Sequence, residues 1–220
     1  MPTLYVVATP IGNLQDITLR AIDTLKNVSV VLAEDTRMAH KLLSHLGIKK
    51  QIIAFHEHST LSQIAKIVKS ISDCDSALIT DAGTPSISDP GQRLVSALIS
   101  RDVAIVPIPG PSALSAILSI SDIDCSEFIF LGFPPHKKGR KTLFGRIAES
   151  NVPVVLFESP HRIQKTLKEL EATCGDHYIN VGRELTKIYE EVFRGKLSEA
   201  QKHFVGEKQR GEFTIIIDWI

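Results

Sequence analysis

Short runs of strand-forming apolar residues alternate along this chain with longer stretches of helical periodicity, and that alternation restricts the fold more than any other feature. Strands are predicted at Leu4–Ala8, Ser29–Ala33, Ile52–Phe55, Ser76–Thr80 and Val103–Pro107. Between them, Thr18–Asn27 places Leu19, Ile22 and Leu25 on one helical face, and Met38–Leu46 is a helix that Gly47 stops. Leu61–Ile71 repeats Leu61, Ile64, Ile67, Val68 and Ile71 at helical spacing. Asp89-Pro90-Gly91-Gln92 is expected to open the next helix, with Asp89 as cap, Pro90 in the first turn and Gln92 closing a capping box. Five strand–helix units of this kind imply a largely parallel sheet covered on both faces.

The polar stretch Ile120–Glu127 reads as a linker. Beyond it, strands are predicted at Phe128–Gly132, Val154–Phe157, Tyr178–Gly182, Glu190–Phe193 and Phe213–Ile217, with helices at Thr142–Ser150, Arg162–Thr173 and Leu197–Phe204. The last strands lie close enough in sequence to make part of this sheet antiparallel. The expectation is two α/β domains, residues 1–119 with a mainly parallel sheet and 120–220 with a mixed one, which suits 220 residues.

An apolar fraction of 43% supports packed cores and argues against disorder. Lys+Arg and Asp+Glu are both 25, whereas a general nucleic-acid binder is usually basic. Any RNA partner must therefore be held by a local patch or by shape. Cys74, Cys125 and Cys174 are odd in number and far apart, which argues against a disulfide framework or a cysteine-rich zinc site and points to the reducing cytoplasm. No secretory leader and no membrane span are expected, because no basic segment leads into a long apolar run.

Ligands of open α/β sheets bind beyond the carboxyl ends of the strands, where this sequence concentrates its glycine, proline and ionisable residues. There is no G-x-G-x-x-G fingerprint, no Walker phosphate loop and no G-x-S-x-G elbow. His56-Glu57-His58 does not match the H-E-x-x-H zinc pattern, and no metal is expected. The loop Asp81-Ala82-Gly83-Thr84-Pro85-Ser86-Ile87-Ser88-Asp89-Pro90-Gly91 is longer than such connections usually are, and its small residues let a ligand approach the backbone. Pro107–Ala113 is a second such turn, in which Ser112 either caps the following helix or meets a ligand. Glu34-Asp35-Thr36-Arg37 is either a general-base cluster or a helix N-terminus whose dipole favours acids. In Glu158-Ser159-Pro160-His161-Arg162, Ser159 and Pro160 suit a helix start, leaving Glu158 and Arg162 for a ligand. Lys137-Lys138-Gly139-Arg140-Lys141, with Arg146, is the strongest basic run and is either a phosphate contact or a solvated helix start; Arg183, Lys187 and Arg194 extend it.

Six motifs occur in order: Thr9-Pro10-Ile11-Gly12-Asn13-Leu14, Ala33–Arg37, Asp81–Gly91, Pro109-Gly110-Pro111-Ser112-Ala113, Glu158–Arg162 and Gly182-Arg183-Glu184-Leu185-Thr186-Lys187. Together they resemble the bacterial 16S ribosomal RNA (cytidine-2′-O)-methyltransferases of the tetrapyrrole methylase superfamily, over roughly Thr3 to Ile217. The resemblance implies a cytoplasmic homodimer of two-domain subunits with S-adenosylmethionine in a cleft between the domains. It implies cofactor contacts at Pro10, Asp81, Gly83, Ile87, Ser112, Ala113, Leu131 and Gly132. Methylation of a ribose hydroxyl then makes Glu34, Asp35, Glu158 and Glu184 the candidate bases, and Arg37, Arg140, Arg162, Arg183 and Lys187 the candidate RNA contacts. Members of this branch usually continue into a small helical region beyond the last strand, whereas this chain stops at Asp218-Trp219-Ile220. Two other readings stay open: a different methyl acceptor, such as the tetrapyrroles or modified histidine of superfamily relatives, and a ribosome-associated module that binds the cofactor without transfer.

Overall fold

A computed structural model describes residues 2–56 and 59–219. Glu57 and His58, two members of the histidine-flanked triplet, lie outside the described residues. The chain divides into two compact units, Met1–Ser112 and Ala113–Ile220.

The first unit contains strands β1 (Thr3–Val7), β2 (Val30–Ala33), β3 (Gln51–Ala54), β4 (Ser76–Leu78) and β5 (Ala104–Ile108) in one sheet of order β3-β2-β4-β1-β5. Every pairing in it is parallel. Parallel neighbours need crossovers, and helices α1 (Leu19–Asn27), α2 (Thr36–His45), α3 (Leu61–Ile71) and α4 (Gln92–Ile99) supply them. The central strands β2 and β4 are buried on both sides, with side chains alternating between two cores. Val31 and Ala33 of β2 pack with Ala21 and Leu25 of α1 and Leu43 of α2, while Val30 and Leu32 pack with Ile64 and Val68 of α3 and Leu94 of α4.

The second unit opens with α5 (Ala113–Ser119) and continues through β6 (Ile129–Gly132), α6 (Arg140–Ala148), β7 (Val154–Glu158), α7 (Ile163–Cys174), β8 (Tyr178–Arg183), β9 (Glu191–Lys196), α8 (Leu197–His203) and β10 (Phe213–Ile217). Its sheet order is β6-β7-β10-β8-β9. Only β6 and β7 pair in parallel, and β10 runs antiparallel to both β7 and β8. The expected mixed sheet is present for that reason. Phe144, Ile147, Leu167, Leu170 and Phe204 cover one face of it.

The division falls before α5 rather than in the polar stretch after it. Ile117 of α5 is fully buried, and a methyl group added at Gly182 on β8 would sit 2.8 Å from its Cδ1. Missing side-chain volume on β8 thus makes the seat for α5, a relation that local composition does not reveal.

Two helix starts differ from expectation. Asp89 does not cap α4: Gly91 is its N-cap, at φ +154, and makes no side-chain cap. A methyl group there would lie 2.2 Å from Ser86 Oγ, so only glycine lets the chain turn into the helix at that point. Ser159 and Pro160 likewise do not begin α7. The amides of Arg162 and Ile163 both donate to the Ser159 carbonyl, and the helix proper begins at Ile163.

Gly182→Ala is expected to destabilise the chain by about 1–3 kcal/mol through overpacking against Ile117 and Leu185. Gly145→Ala inside α6, where an added methyl group meets nothing within 4 Å, is expected to stabilise it by about 0.4–1 kcal/mol. Denaturant unfolding of both variants measures the two opposite shifts.

Candidate functional site

In the first unit, β1 lies between β4 and β5, so three loops leave the same edge of the sheet side by side. They are tied together. Thr9 and Gly83 exchange backbone hydrogen bonds of 2.9 and 3.0 Å, and Thr9 Oγ1 donates to the Thr80 carbonyl at 3.1 Å. Thr84 Oγ1 donates to the Pro111 carbonyl at 3.4 Å. The Asp35 amide donates to Asp81 Oδ1 at 3.2 Å, which brings in the end of β2. Thus Pro10, Asp81, Gly83 and the turn before Ser112 belong to one constellation, with Pro10 and Gly83 buried and Ile87 exposed.

This constellation carries two marks of a binding surface. Ser86 and Ser88 sit at φ +70 and +62, a left-handed conformation that costs a non-glycine residue roughly 1–2 kcal/mol. The buried hydroxyls Thr80 Oγ1 and Ser86 Oγ have no hydrogen-bond partner within the described residues. In the sequence Thr80 reads only as a strand end, and Ser86 only as one of the small residues of the Asp81–Gly91 loop. Their small polar side chains look like ordinary loop composition until burial is known.

Asp35 caps α2, accepting from the Arg37 amide at 2.8 Å, and pairs with the Arg37 guanidinium at 2.6 Å. Those bonds to Arg37 hold its carboxyl far below the usual carboxylate range. The helix-start reading of Glu34–Arg37 thus describes Asp35, which caps α2. Arg37 is 85% exposed and can still meet an anion.

At the corresponding edge of the second unit, β6 pairs with β7 through Phe130 and then Gly132, leaving Leu131 as the extra residue of a bulge. Gly132 is at φ +64 and leads into Phe133-Pro134-Pro135. The Glu158 carboxylate is sealed from solvent, accepting from Arg162 Nε and the Ser159 amide, each at 2.7 Å, and from Thr166 Oγ1 at 2.5 Å. Arg140 does not lie on the surface. It is buried, donating to Glu169, Thr166 and the Pro135 carbonyl, with its guanidinium over the Phe144 ring. Arg140 starts α6 on its buried face, while Lys137 and Lys138 before the helix, and Lys141 and Arg146 on it, stay exposed.

Arg183 is also nearly buried, donating to the carbonyls of Arg210 and Tyr189 and facing Glu191 at 3.6 Å. Glu184, at φ +51, accepts from Lys187 Nζ at 2.8 Å and from the Glu212 amide at 2.9 Å. Burial draws its carboxyl upward, but Lys187 and that amide outweigh burial and leave it below its ordinary value. Glu191 behaves alike, with burial outweighed by His203 and Lys208. Among the described residues, no group of three His, Cys, Asp or Glu is placed to hold a metal, and no helix is long and apolar enough to cross a membrane.

Because Glu184 and Glu191 titrate lower when folded, their contribution is complete above the unfolded value near 4.5 and is lost as pH falls through the folded values. Denaturation midpoints should therefore drop between about pH 5 and pH 3. The double variant Glu184→Gln, Glu191→Gln should flatten that drop while lowering stability at pH 7.

A model of the tetrapyrrole (corrin/porphyrin) methylases matches residues 3–201. A protein of Thermotoga maritima named ribosomal RNA small subunit methyltransferase I is 41% identical over 99% of this chain and 98% of its own length. The protein of that name from Borrelia garinii is 43% identical, covering 97% of each chain. The one from Halalkalibacterium halodurans is 41% identical over 98% of this chain but only 75% of its own length, so relatives both with and without further sequence exist. Among solved structures, a diphthine synthase aligns with a TM-score of 0.77 at 13% identity, over 98% of this chain and 90% of that one. A cobalt precorrin-4 methyltransferase aligns at 0.69 and 19%, over 99% and 95%. Those two share the fold, and the family match with the long, closely similar relatives goes further: this chain belongs to the tetrapyrrole methylase family.

Proposed function

We propose that this chain methylates the ribose 2′-hydroxyl of a cytidine in 16S ribosomal RNA, with S-adenosylmethionine as donor. The observation that carries this reading is identity of 41–43% over nearly the whole chain to relatives named ribosomal RNA small subunit methyltransferase I. The proposed substrate puts the reaction in the cytoplasm, on the small ribosomal subunit, and we extend the proposal to a homodimer.

The donor fits residues that are present. Gly83 and the strained Ser86–Ser88 turn offer backbone groups at close approach, and the Thr80 and Ser86 hydroxyls beneath them have hydrogen-bonding capacity unspent among the described residues. We assign Pro10, Asp81, Gly83, Ile87 and Ser112 to the cofactor in the first unit, and Ala113, Leu131 and Gly132 in the second. When bound, S-adenosylmethionine supplies an electrophilic methyl group on a positively charged sulfur. The chain's task is to hold the hydroxyl in line with it, and such positioning is worth on the order of 7–11 kcal/mol.

The remaining task is to receive the hydroxyl proton. Glu158 is unsuited, since both of its oxygens are engaged and its side chain has no solvent access. Glu34, Asp35 and Glu184 stay as candidates. The cations beside Asp35 and Glu184 lower their basicity, which shifts the catalytic weight toward positioning. Arg37 and Lys187 are the arginine and lysine we assign to phosphates. Arg162 and Arg183, committed to carbonyls and carboxylates of the chain, support the surface from beneath. A target cytidine splayed from its helix is compatible with a protein of zero net charge.

Tritium transfer from S-adenosylmethionine to small subunits lacking the mark is expected, with label at one alkali-resistant ribose. Cofactor binding without RNA label would favour another acceptor, and no binding at all would overturn the proposal. Glu34→Gln, Asp35→Asn and Glu184→Gln are to be compared by turnover at saturating substrates. The variant that removes the proton acceptor should lose about 10²–10⁴-fold, and losses below tenfold in all three would eliminate a carboxylate base.

A further inference from the structure

The buried ionic chain of the second unit ends on two neighbouring carbonyls. Arg162 Nη1 donates to the Pro134 carbonyl at 2.8 Å, and Arg140 Nη1 donates to the Pro135 carbonyl at 3.1 Å. The two guanidiniums are linked behind that segment. Arg140 Nη2 donates to Thr166 Oγ1 at 2.7 Å, Thr166 Oγ1 donates to Glu158 Oε2 at 2.5 Å, and Arg162 Nε donates to Glu158 Oε1 at 2.7 Å. Glu169, at 2.7 Å from Arg140 Nε, closes the outer end. Arg140, Glu158 and Thr166 are 5%, 1% and 0% exposed.

Burying two guanidiniums is costly unless their donors are spent on fixed acceptors. Here two donors are spent on successive proline carbonyls, directly after a bulge at Leu131 and a left-handed Gly132. Proline offers no amide to pair with a strand, so the sheet cannot hold this segment itself. Its carbonyls are the groups that remain, and each has been given a charged donor.

We infer that Arg140, Thr166, Glu158 and Arg162 form a clamp that positions the Leu131–Pro135 segment for the cofactor. This rests on the proposed contacts of Leu131 and Gly132. All four are positioning residues. The role explains why Arg140 turns inward from a basic run and why Glu158 has no access to solvent.

The test uses Thr166→Val, which keeps shape and removes the relay hydroxyl, with Thr166→Ser as rescue. Arg140→Lys serves as a second lesion, since a point charge cannot fork between Pro135 and Thr166. Calorimetric Kd and kinetic KM for S-adenosylmethionine should rise about tenfold in Thr166→Val and Arg140→Lys. At saturating cofactor, kcat on small subunits should stay within about twofold, and Thr166→Ser should restore Kd. A lowered Tm with unchanged Kd and KM in both lesions would overturn the clamp and leave a purely structural network. Weakened subunit binding with unchanged cofactor affinity would overturn it in favour of an RNA contact. Failure of the unmodified chain to bind S-adenosylmethionine would overturn the functional reading beneath it instead.

Discussion

A parallel pair of strands must be joined by a crossover that returns the chain to the starting edge, so successive carboxyl ends collect on one side of the sheet. In the first unit all pairings are parallel, and β1 sits between β4 and β5. The loops that follow these strands are then neighbours in space although residues 9, 83 and 111 are remote in sequence. The Thr9–Gly83 exchange and the Thr84–Pro111 bond lock that neighbourhood. The second unit reaches the same end by different means, because β10 separates β7 from β8 and lets both run in one direction. Glu158 and Arg183, the last residues of those strands, arrive on one edge as a result.

That edge is dominated by compensated charge. Glu158, Arg162, Arg140, Arg183 and Glu184 are all partly or wholly buried, and each is hydrogen-bonded to a fixed group. Breaking one member of such a set leaves an uncompensated buried charge, which costs more than the pair contributes when intact. The expense is consistent with geometry being the object. Under the proposed function, fixed carbonyls and loops would serve in-line methyl transfer, where misplacement by an ångström is heavily penalised.

Fold class and element order were legible in the residues. Val30–Ala33 alternates between two buried faces because the strand is covered on both, and its unbroken apolar run announces that. Antiparallel pairing of β8 with β9 follows from their short connection, whereas the insertion of β10 between β7 and β8 joins strands remote in sequence. The role of individual cations was not legible. Arg140 and Lys141 are neighbours in one basic run, yet one is buried and the other exposed, and only helix phase against Thr166 and Glu169 separates them.

The sequence by itself determined two α/β units, an unusually long small-residue loop at Asp81–Gly91 and the motif series that resembles methyltransferases, because periodicity and turn chemistry are local properties. Tertiary structure alone decided that α5 belongs with the second unit, through the space Gly182 leaves for Ile117. It alone turned Glu158 from a candidate base into an acceptor for Arg162 and Thr166, and left the Thr80 and Ser86 hydroxyl oxygens shielded and unspent among the described residues. Those outcomes depend on which distant groups share a buried volume, and hydrogen-bond saturation is settled only when that volume closes.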